Sequence, residues 1–365
     1  MSPSGSPVSP SGSPVNPPGS PANPPDSPVK RGGPAGEAAD SVHAREGDGL
    51  DGAGRRPLVV VGDLVWDVLI RTNTALMTGG DTYGEVELAP GGSAANAAVW
   101  ARRCGLPTTF VGKVGRDRFG VLAEDDLRDE GVEAYLIRTA AHLTGSVAVW
   151  IDHDGQRSMV SGKGADHALL PQELPRDLLA EASHVHLSAW ALFADPPRAA
   201  ACEAARVAKA AGATVSLDPA SFQMIASVGV DAFVELTAGM GVDVLFPNAD
   251  EAAVLAGGED APEAMAARLA ERYPGALIAL KLDADGALVL PPGGRPAAVP
   301  PQVNRLVDAT GAGDAFAGAF LSRWLRGADA AAAARFAVGV SEWVIQQVGA
   351  RPPVDEELRG YLAGG

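Results

Sequence analysis

Short apolar runs alternate with longer amphipathic stretches from residue 57 to the C-terminus. A continuous apolar run such as Leu-Val-Val-Val, bounded by Pro57 and Gly62, is typical of a strand buried on both faces. Stretches in which apolar residues recur every three or four positions predict helices. The predicted strands are 57–62, 108–114, 184–187, 214–217, 242–246 and 276–281, and the predicted helices among them include 93–103, 119–130 and 199–211.

Two segments do not follow this strand–helix rhythm. Residues 83–88 alternate polar and apolar side chains, which predicts a strand with one wet face. Residues 146–151 and 156–160 flank Asp154-Gly155 and predict a hairpin, because this dipeptide suits a tight turn. We expect these strands to form a small separate sheet that covers a pocket as a lid. The lid strands are expected roughly within 68–90 and 145–162.

The last third of the chain completes the pattern. Residues 288–290 and 295–299 flank Pro-Pro-Gly-Gly and predict an antiparallel edge. The end is predicted to be helical. Alternation of strands and helices requires a mostly parallel sheet covered on both faces, which predicts an α/β fold. The three helices predicted at the end are 315–325, 330–348 and 355–362.

The first 56 residues differ from the rest. Residues 4–31 are a degenerate heptapeptide repeat rich in Pro, Ser and Gly. Such a segment has little apolar surface to bury, and its prolines block helix and ladder hydrogen bonds, so we expect a disordered tail. It lacks the apolar core of a signal peptide. The sequence therefore predicts a tail over 1–56 and one domain over 57–365.

Charge and cysteine content narrow the class of protein. The chain carries a formal net charge of −16, which disfavours a broad nucleic-acid interface. No apolar run is long enough to span a bilayer. Cys104 and Cys202 lie far apart and form no metal-ligand spacing, which favours two reduced thiols in a cytoplasmic protein.

The most informative motif is Asp-Ala-Thr-Gly-Ala-Gly-Asp, from Asp308 to Asp314. It places a glycine-flexed loop and a carboxylate at the start of a predicted helix. Helix N-termini offer unpaired N–H groups and a positive dipole end, and glycine lets a phosphate approach the backbone. Asp314 could accept a proton from an attacking hydroxyl. The alternative is a simple helix cap, because Asp is a favoured capping residue.

Other phosphate-binding motifs fit less well. The third glycine of the G-x-G-x-x-G pattern is replaced by Phe316, and the motif lies late in the chain, which makes a Rossmann dinucleotide site the weaker interpretation. The chain contains no G-x-x-x-x-G-K-[ST] sequence, which excludes an ordinary P-loop.

Polar residues follow several predicted strands. Open α/β sheets bind ligands at the carboxyl ends of their strands, so these groups are expected to converge. Each alone could be a turn former or a helix cap. The segments are Asp63 to Asp67, Gly91-Gly92 to Asn96, Asn248 to Glu251, and Lys281 to Gly286.

The chain resembles the PfkB/ribokinase family of carbohydrate kinases from about Leu58 to Pro353. Two widely separated signatures carry the resemblance: the segment from Gly91-Gly92 to Asn96, and the motif ending at Asp314. The resemblance implies a ribokinase-like three-layer sandwich, with a central mostly parallel sheet and a small β-sheet lid over the substrate.

The resemblance also implies roles for individual residues. Asp314 would be the catalytic base, and the backbone amides around it would form an anion hole for the migrating phosphoryl group. Other residues would hold sugar hydroxyls, ATP and its Mg²⁺, and a monovalent cation such as K⁺. The anion hole would be Gly311, Ala312 and Gly313; the sugar site Asp67, Gly91, Gly92 and Asn96; the nucleotide site Asn248, Lys281, Gly286, Gly349 and Ala350; and the metal positions Glu251, with Asp308 and Thr310 for the monovalent cation.

The chain departs from ribokinases proper at two positions, which makes ribose doubtful. Those enzymes usually carry Asn where Val65 stands and Lys where Ser93 stands. The segment 162–166 resembles their P-G-A-N loop, with Asp166 in place of Asn. Four side chains could line an aromatic-rich pocket for a nucleobase, although a core location is favoured for Trp190 and Phe193. These four are Trp150, Met159, Trp190 and Phe193.

The leading hypothesis from the sequence is ATP-dependent phosphorylation of a hydroxyl of a small sugar. A nucleoside kinase of the same family and a non-catalytic sugar-binding regulator are the alternatives. The presence of Asp314, Asn248 and Glu251 argues against the regulator. A homodimer formed through the lid is expected, because the edge of such a sheet is open to pairing.

Overall fold

The computed structural model describes residues 54, 56–75, 77–151, 157–301 and 305–364. The tail predicted over 1–56 falls almost entirely outside these residues, as does the turn at Asp154-Gly155. In the described part of the chain, the strands are β1 Leu58–Val61, β2 Val65–Thr72, β3 Gly84–Gly91, β4 Thr108–Gly115, β5 Glu133–Thr139, β6 Gly145–Ile151, β7 Arg157–Gly162, β8 His184–Ser188, β9 Thr214–Asp218, β10 Val244–Leu245, β11 Leu277–Lys281, β12 Ala287–Leu290 and β13 Ala297–Val299.

Helices fill most of the connections between these strands. They are α1 Ser93–Arg103, α2 Arg118–Asp129, α3 Arg176–Ala180, α4 Pro197–Ala210, α5 Phe222–Val228, α6 Val230–Gly239, α7 Ala249–Ala256, α8 Pro262–Arg272, α9 Ala312–Trp324, α10 Ala330–Val344 and α11 Glu356–Gly364.

The large sheet has nine strands in the order β13-β12-β11-β10-β9-β8-β1-β4-β5. Pairings from β11 through to β5 are parallel, whereas β12 and β13 pair antiparallel at one edge. The predicted mostly parallel sheet and its antiparallel edge are confirmed. The sequence reasoning missed β5, an edge strand whose residues are mostly only half-buried and which therefore lacks a continuous apolar run.

Helices cover both faces of this sheet, which gives the three layers. On one face Phe316 and Phe320 of α9 pack edge to face against Phe246, with ring centroids 6.3 and 5.3 Å away. On the same face, Trp100 of α1 is fully buried and meets Trp343 of α10 edge to face. The other face is covered by α4, α7 and α8 through small and aliphatic side chains. We expect Trp100→Ala to cost about 3–5 kcal/mol of folding free energy.

A second sheet has four strands in the order β3-β2-β6-β7. Strand β2 pairs antiparallel with β3 and parallel with β6, and β6 and β7 form the predicted antiparallel pair. The expected small sheet is therefore present. Its action as a lid stays a prediction.

One helix ends earlier than its periodicity predicted. Helix α10 stops at Val344 instead of residue 348. The carbonyl oxygen of Ile345 accepts hydrogen bonds from the amides of Val307 and Asp308, at 2.7 and 3.1 Å. The segment before the late motif thus uses the carbonyl oxygen that another helical turn would need. These hydrogen bonds hold the segment after α10 beside the motif.

Candidate active site

The late motif forms the junction at the start of α9. Gly311 is its N-cap residue, with φ 75° and ψ 0°, a left-handed conformation that favours glycine. A Cβ on Gly311 would lie 2.6 Å from the Cα of Ala350, so packing also requires glycine here. The amide of Ala312 donates to the carbonyl oxygen of Ala309 at 3.3 Å, so one of the three predicted anion-hole amides already has a partner.

Asp314 lies in the first turn of α9 and points at α1. Its Oδ1 accepts a hydrogen bond from Ser93 Oγ and its Oδ2 one from Asn96 Nδ2, both at 2.8 Å. Burial raises the pKa of Asp314 to about 7, and the nearby charge of Asp218 adds to the effect. A carboxylate with this pKa is matched to proton transfer near neutral pH.

The N-terminus of α1 is the second part of the site. Gly92 precedes it with φ 94°, and a Cβ there would lie 2.6 Å from the carbonyl oxygen of Asp63. The carboxylate of Asp63 accepts from the amides of Ser93 and Ala94, at 2.7 and 3.2 Å. Asp63 therefore caps α1 from a neighbouring loop. Burial raises its pKa despite these bonds.

Asp67 enters from the small sheet. It lies on β2 opposite Ala89, and a Cβ on Gly91 would lie only 2.6 Å from its Oδ2. Burial raises the pKa of Asp67 to about 6, opposed by the positive charge of Arg351. This carboxylate lies beside the glycine pair, and its contact with a sugar stays a prediction.

Asn96 connects two other residues of the site. Its Nδ2 donates to Asp314 and its Oδ1 accepts from Arg351 Nε at 2.7 Å. The amide keeps a second N–H and a second lone pair, and its contact with a sugar hydroxyl stays a prediction.

A buried ion pair faces Asp314 from the sheet. Lys281, at the end of β11, lies 2.6 Å from Asp218 Oδ2 at the end of β9. Burial opposes its charge, but Asp218 and Glu251 outweigh burial and raise the pKa of Lys281. A Cβ on Gly313 would lie 3.1 Å from Lys281 Nζ. Lys281 was predicted along the nucleotide, and its ammonium lies against the anion-hole glycine.

Asn248 and Glu251 form a capping box at the start of α7. Asn248 Oδ1 accepts from the amide of Glu251, and Glu251 Oε2 accepts from the amide of Asn248, at 2.8 and 2.9 Å. Burial, followed by the charge of Asp218, raises the pKa of Glu251 to about 7.

The oxygen donors of Glu251 and Asn248 suit Mg²⁺. Within the described part of the chain, no group of three His, Cys, Asp or Glu side chains could hold a metal ion. Magnesium keeps several waters and is usually held by one or two carboxylates together with substrate phosphates, and its binding here stays a prediction.

Asp308 joins the motif to the segment after α10. Its carboxylate accepts from the amide of Thr310 at 2.8 Å and from that of Gly349 at 3.0 Å. The next carbonyl oxygen, of Ala350, accepts from Trp100 Nε1 at 2.9 Å. The predicted nucleotide and cation residues 308, 310, 349 and 350 are thus brought together.

Gly286 lies at the turn between β11 and β12. Its φ is 82°, and a Cβ there would lie 2.2 Å from the carbonyl oxygen of Val299. This packing alone explains glycine at the position. Contact with a nucleotide stays a prediction.

The other predicted pocket residues have different surroundings. Phe193 stacks on Phe233 and packs against the core, as favoured. Trp190 is 41% exposed, so the core interpretation was wrong for it. Met159 is exposed on β7. Asp166 has a buried side chain whose pKa rises to about 7, because of burial and then the charge of Asp63.

Sequence reasoning missed three groups of this site. Asp218 directly follows the predicted strand 214–217, so the strand-end rule that found Asp63 could have found it. Ser93 was noted only as a departure, and its hydroxyl contacts Asp314. Arg351 had no signal, because a single arginine after Gly-Ala gives no indication of its partners.

Comparison with known proteins shows the family of this chain. The profile of the pfkB family carbohydrate kinases matches residues 56–357, and the chain belongs to this family of phosphotransferases. An ATP-dependent ribose-1-phosphate kinase of Halopiger xanaduensis is 32% identical over 306 residues, which are 83% of this chain and 96% of the relative. A fructokinase of Klebsiella pneumoniae is 31% identical over 72% of this chain and 82% of its own length.

Solved structures confirm the ribokinase-like fold. Adenosine kinase from Sinorhizobium meliloti superimposes with a TM-score of 0.73 at 25% identity, over 84% of this chain and 99% of that chain. Arabidopsis thaliana ribokinase, complexed with ribose and ATP, gives a TM-score of 0.70 at 25% identity, over 84% and 98%. In the part of the chain that the structure describes, no helix has the length and apolarity needed to cross a membrane.

Proposed function

We propose that this carbohydrate kinase transfers the terminal phosphate of ATP to a hydroxyl group of a small neutral sugar. The observation that carries the proposal is the meeting of Asp314, in the first turn of α9, with Ser93 and Asn96, in the first turns of α1. Two helix N-termini with glycine-flexed entries converge on one carboxylate. This arrangement suits proton removal from an alcohol next to an anion-binding backbone.

In this proposal Asp314 accepts the proton of the attacking hydroxyl. The amides of Gly311 to Gly313 stabilise charge on the migrating phosphoryl group, with that of Ala312 exchanging its 3.3 Å contact for the phosphate. The ammonium of Lys281 lies beside Gly313 and adds a positive charge at the same place. Its partner Asp218 holds it there.

The nucleotide would lie along Gly286, Gly349 and Ala350. Mg²⁺ would be held by Asn248 and Glu251, largely through water, and would neutralise the phosphates. Asp308 and Thr310 are the proposed neighbours of a monovalent cation such as K⁺.

The acceptor would be bound by Asp67, Gly91 and Gly92. Carboxylate and backbone groups suit hydroxyls, which both donate and accept hydrogen bonds. Asp63 and Asp166 lie nearby and interact electrostatically, with raised pKa values for both. In their ionised forms these buried carboxylates would repel a phosphate on the acceptor, which favours a neutral sugar.

A phosphorylated sugar is the second candidate. The relative that matches 83% of this chain is described as acting on ribose 1-phosphate. Nucleosides remain a third class to test, because the adenosine kinase of Sinorhizobium meliloti shares the fold at 25% identity.

ADP release measured over a panel of acceptors tests the proposal. The panel contains neutral ketoses and aldoses, the matching sugar phosphates, and nucleosides, each with ATP and Mg²⁺. Turnover of a neutral sugar with kcat/KM at least about tenfold above its phosphorylated counterpart supports the proposal. Preference for a sugar phosphate or a nucleoside would reject the neutral sugar as the substrate. Absence of transfer to every acceptor would reject the proposed reaction itself.

We also propose that two copies associate through the outer face of the small sheet. The cross-strand pairs Val68–Leu88 and Ile70–Val86 place apolar side chains on one face, opposite to that of Asp67. Val86 and Val160 are 68% and 72% exposed. Association would cover this apolar surface and leave Asp67 facing the pocket.

A further inference from the structure

Arg351 is the most enclosed cation near the catalytic carboxylate. Its side chain is only 1% exposed, and its hydrogen-bond partners are all distant in sequence. Nε donates to Asn96 Oδ1 at 2.7 Å, one terminal nitrogen lies 2.5 Å from Asp126 Oδ2, and the other donates to the carbonyl oxygen of Gly91 at 3.3 Å. The planar guanidinium thus bonds to α1, α2 and the end of β3 together.

These contacts fix the orientation of the Asn96 amide. A guanidinium can only donate, so it requires the oxygen of Asn96, and a carboxylate requires the nitrogen. Arg351 lies at the oxygen end and Asp314 at the nitrogen end. Flipping the amide would put two donors together at one end and two acceptors at the other. The amide therefore has one stable orientation, which directs Nδ2 at Asp314 Oδ2.

Arg351 is in turn fixed by its neighbours in sequence and space. It directly follows Gly349 and Ala350, which are hydrogen-bonded to Asp308 and Trp100. Asp126 on α2 compensates its buried charge. The segment 349–351 therefore runs from the proposed nucleotide side of the site to the side of the acceptor.

We propose that Arg351 is a positioning residue, which holds Asn96 so that Asn96 aligns the carboxylate of Asp314 for proton abstraction. This inference rests on the proposed function, because it assumes that Asp314 is the base. It gives Asn96 a part in the alignment of the base, in addition to its predicted contact with a sugar hydroxyl. The three hydrogen bonds of Arg351 are to protein groups, so its effect on Asp314 passes through Asn96.

Steady-state kinetics of Arg351→Met, with Arg103→Met as matched control, test the inference. Arg103 is similarly buried, pairs with Glu130 at the C-cap of α2 and donates to the carbonyl oxygen of Pro352, but it does not contact Asn96. We expect kcat of Arg351→Met to fall about 10- to 100-fold with the KM for ATP changed less than about threefold. The control should keep kcat within about twofold.

A pH profile separates alignment from general loss of stability. Arg351 attracts the ionised form of Asp314, so its removal should move the acid limb of the kcat/KM profile to higher pH. The other charged groups that face Asp314, Asp218 and Lys281, are unchanged in both variants. Arg351→Lys keeps the charge but cannot make all three bonds, so it should restore most of the pH limb and only part of kcat.

Two measurements keep the inference testable if Arg351→Met does not fold or the protein transfers no phosphate. Asp126→Asn loosens the anchor and should lower kcat in the same direction by a smaller factor. Independently of activity, the Asn96 side-chain amide signal in ¹⁵N NMR should follow the titration of Asp314, with a midpoint that Arg351→Lys leaves nearly unchanged and Asp126→Asn shifts.

Two results would overturn the inference. One is an equal loss of kcat in Arg351→Met and Arg103→Met, without movement of the pH limb. The other is an Asn96 signal that does not respond to pH between about 5 and 9. Absence of phosphate transfer by the unmodified protein would reject the proposed function, and the NMR titration would still decide whether Asn96 and Asp314 are coupled.

Discussion

Three carboxylic acids in the site, Asp67, Glu251 and Asp314, have pKa values raised to between about 6 and 7, and in each the first cause is burial. A buried carboxylate is stabilised in its neutral form, so its ionisation near pH 7 costs folding free energy. The protein keeps these groups in a low-dielectric site where their charge acts strongly on a substrate. Carboxylic acids with pKa values raised by burial are typical of functional sites.

Asp314→Asn should therefore stabilise the folded protein at alkaline pH. The folded-state pKa of about 7 exceeds the unfolded value of 3.8, so the favourable contribution of Asp314 is complete below pH 4 and is lost as pH rises to 7. At pH 8 the variant should gain on the order of 4 kcal/mol, and near pH 4 almost nothing. Urea unfolding at both values measures this.

Asp117→Asn serves as the opposite case. Burial opposes ionisation of Asp117, but hydrogen bonds from Thr144 and Gly120 outweigh it and lower its pKa. This substitution should destabilise the protein at pH 8. A loss of stability at pH 8 in Asp314→Asn as well would show that the Asp314 carboxylate is not strained by ionisation.

Lys281→Met should lower kcat by about 100-fold or more, because it removes the positive charge beside Gly313 and leaves Asp218 without its partner. Lys209→Met is the matched control. Lys209 Nζ lies 2.8 Å from Asp243 Oδ2, in an ion pair outside the site. Initial rates at saturating ATP give the comparison. Similar rates for the two variants would remove Lys281 from the transfer step.

At the scale of elements, the sequence predicted which residues follow the strand ends better than it predicted which side chains contact each other. The strand ends carrying Asp63 and Asn248 follow from apolar runs and the topology of parallel sheets. The pairing of Asn96 with Arg351 joins residues 255 positions apart, and no local pattern records it. The sequence did not predict strand β5, because an edge strand is only half-buried and lacks a continuous apolar run. It predicted too late an end for α10, because the carbonyl oxygen of Ile345 accepts hydrogen bonds from a distant segment.

The loop-to-helix junction at Gly311 gives a prediction for an element. Gly311→Ala combines a left-handed φ with a Cβ 2.6 Å from Ala350, so it should displace the first turn of α9 and reduce kcat at least about 100-fold. Gly212→Ala has a similar φ of 82° but open space around the added Cβ. It should cost about 1–3 kcal/mol in urea unfolding and leave kcat unchanged. Full activity of Gly311→Ala would contradict the proposed anion hole.

At the scale of the whole molecule, the two sheets contribute different residues to the site. The large sheet collects the acidic and amide groups of the site at its strand ends, and the small sheet brings Asp67 to them while exposing apolar residues on its other face. That exposed apolar face is the surface through which we propose that two copies associate.

Association through that face is tested by charge insertion. Val86→Glu together with Val160→Glu should convert a dimer to a monomer in light scattering coupled to size exclusion, because charge on the apolar face opposes its burial. Val121→Glu, at an exposed apolar position on α2, should leave the mass unchanged. A monomeric unmodified protein, or a dimer that survives the double substitution, would contradict this interface.

The most direct test of the central claim is a single-turnover measurement of phosphate transfer to the preferred acceptor by Asp314→Asn. The side chain should keep its contacts with Asn96 and Ser93, because the amide can accept at one end and donate at the other. The account predicts a transfer rate at least about 1,000-fold below that of the unmodified protein, with acceptor affinity by calorimetry within about threefold. Transfer at an undiminished rate would contradict the assignment of Asp314 as the base.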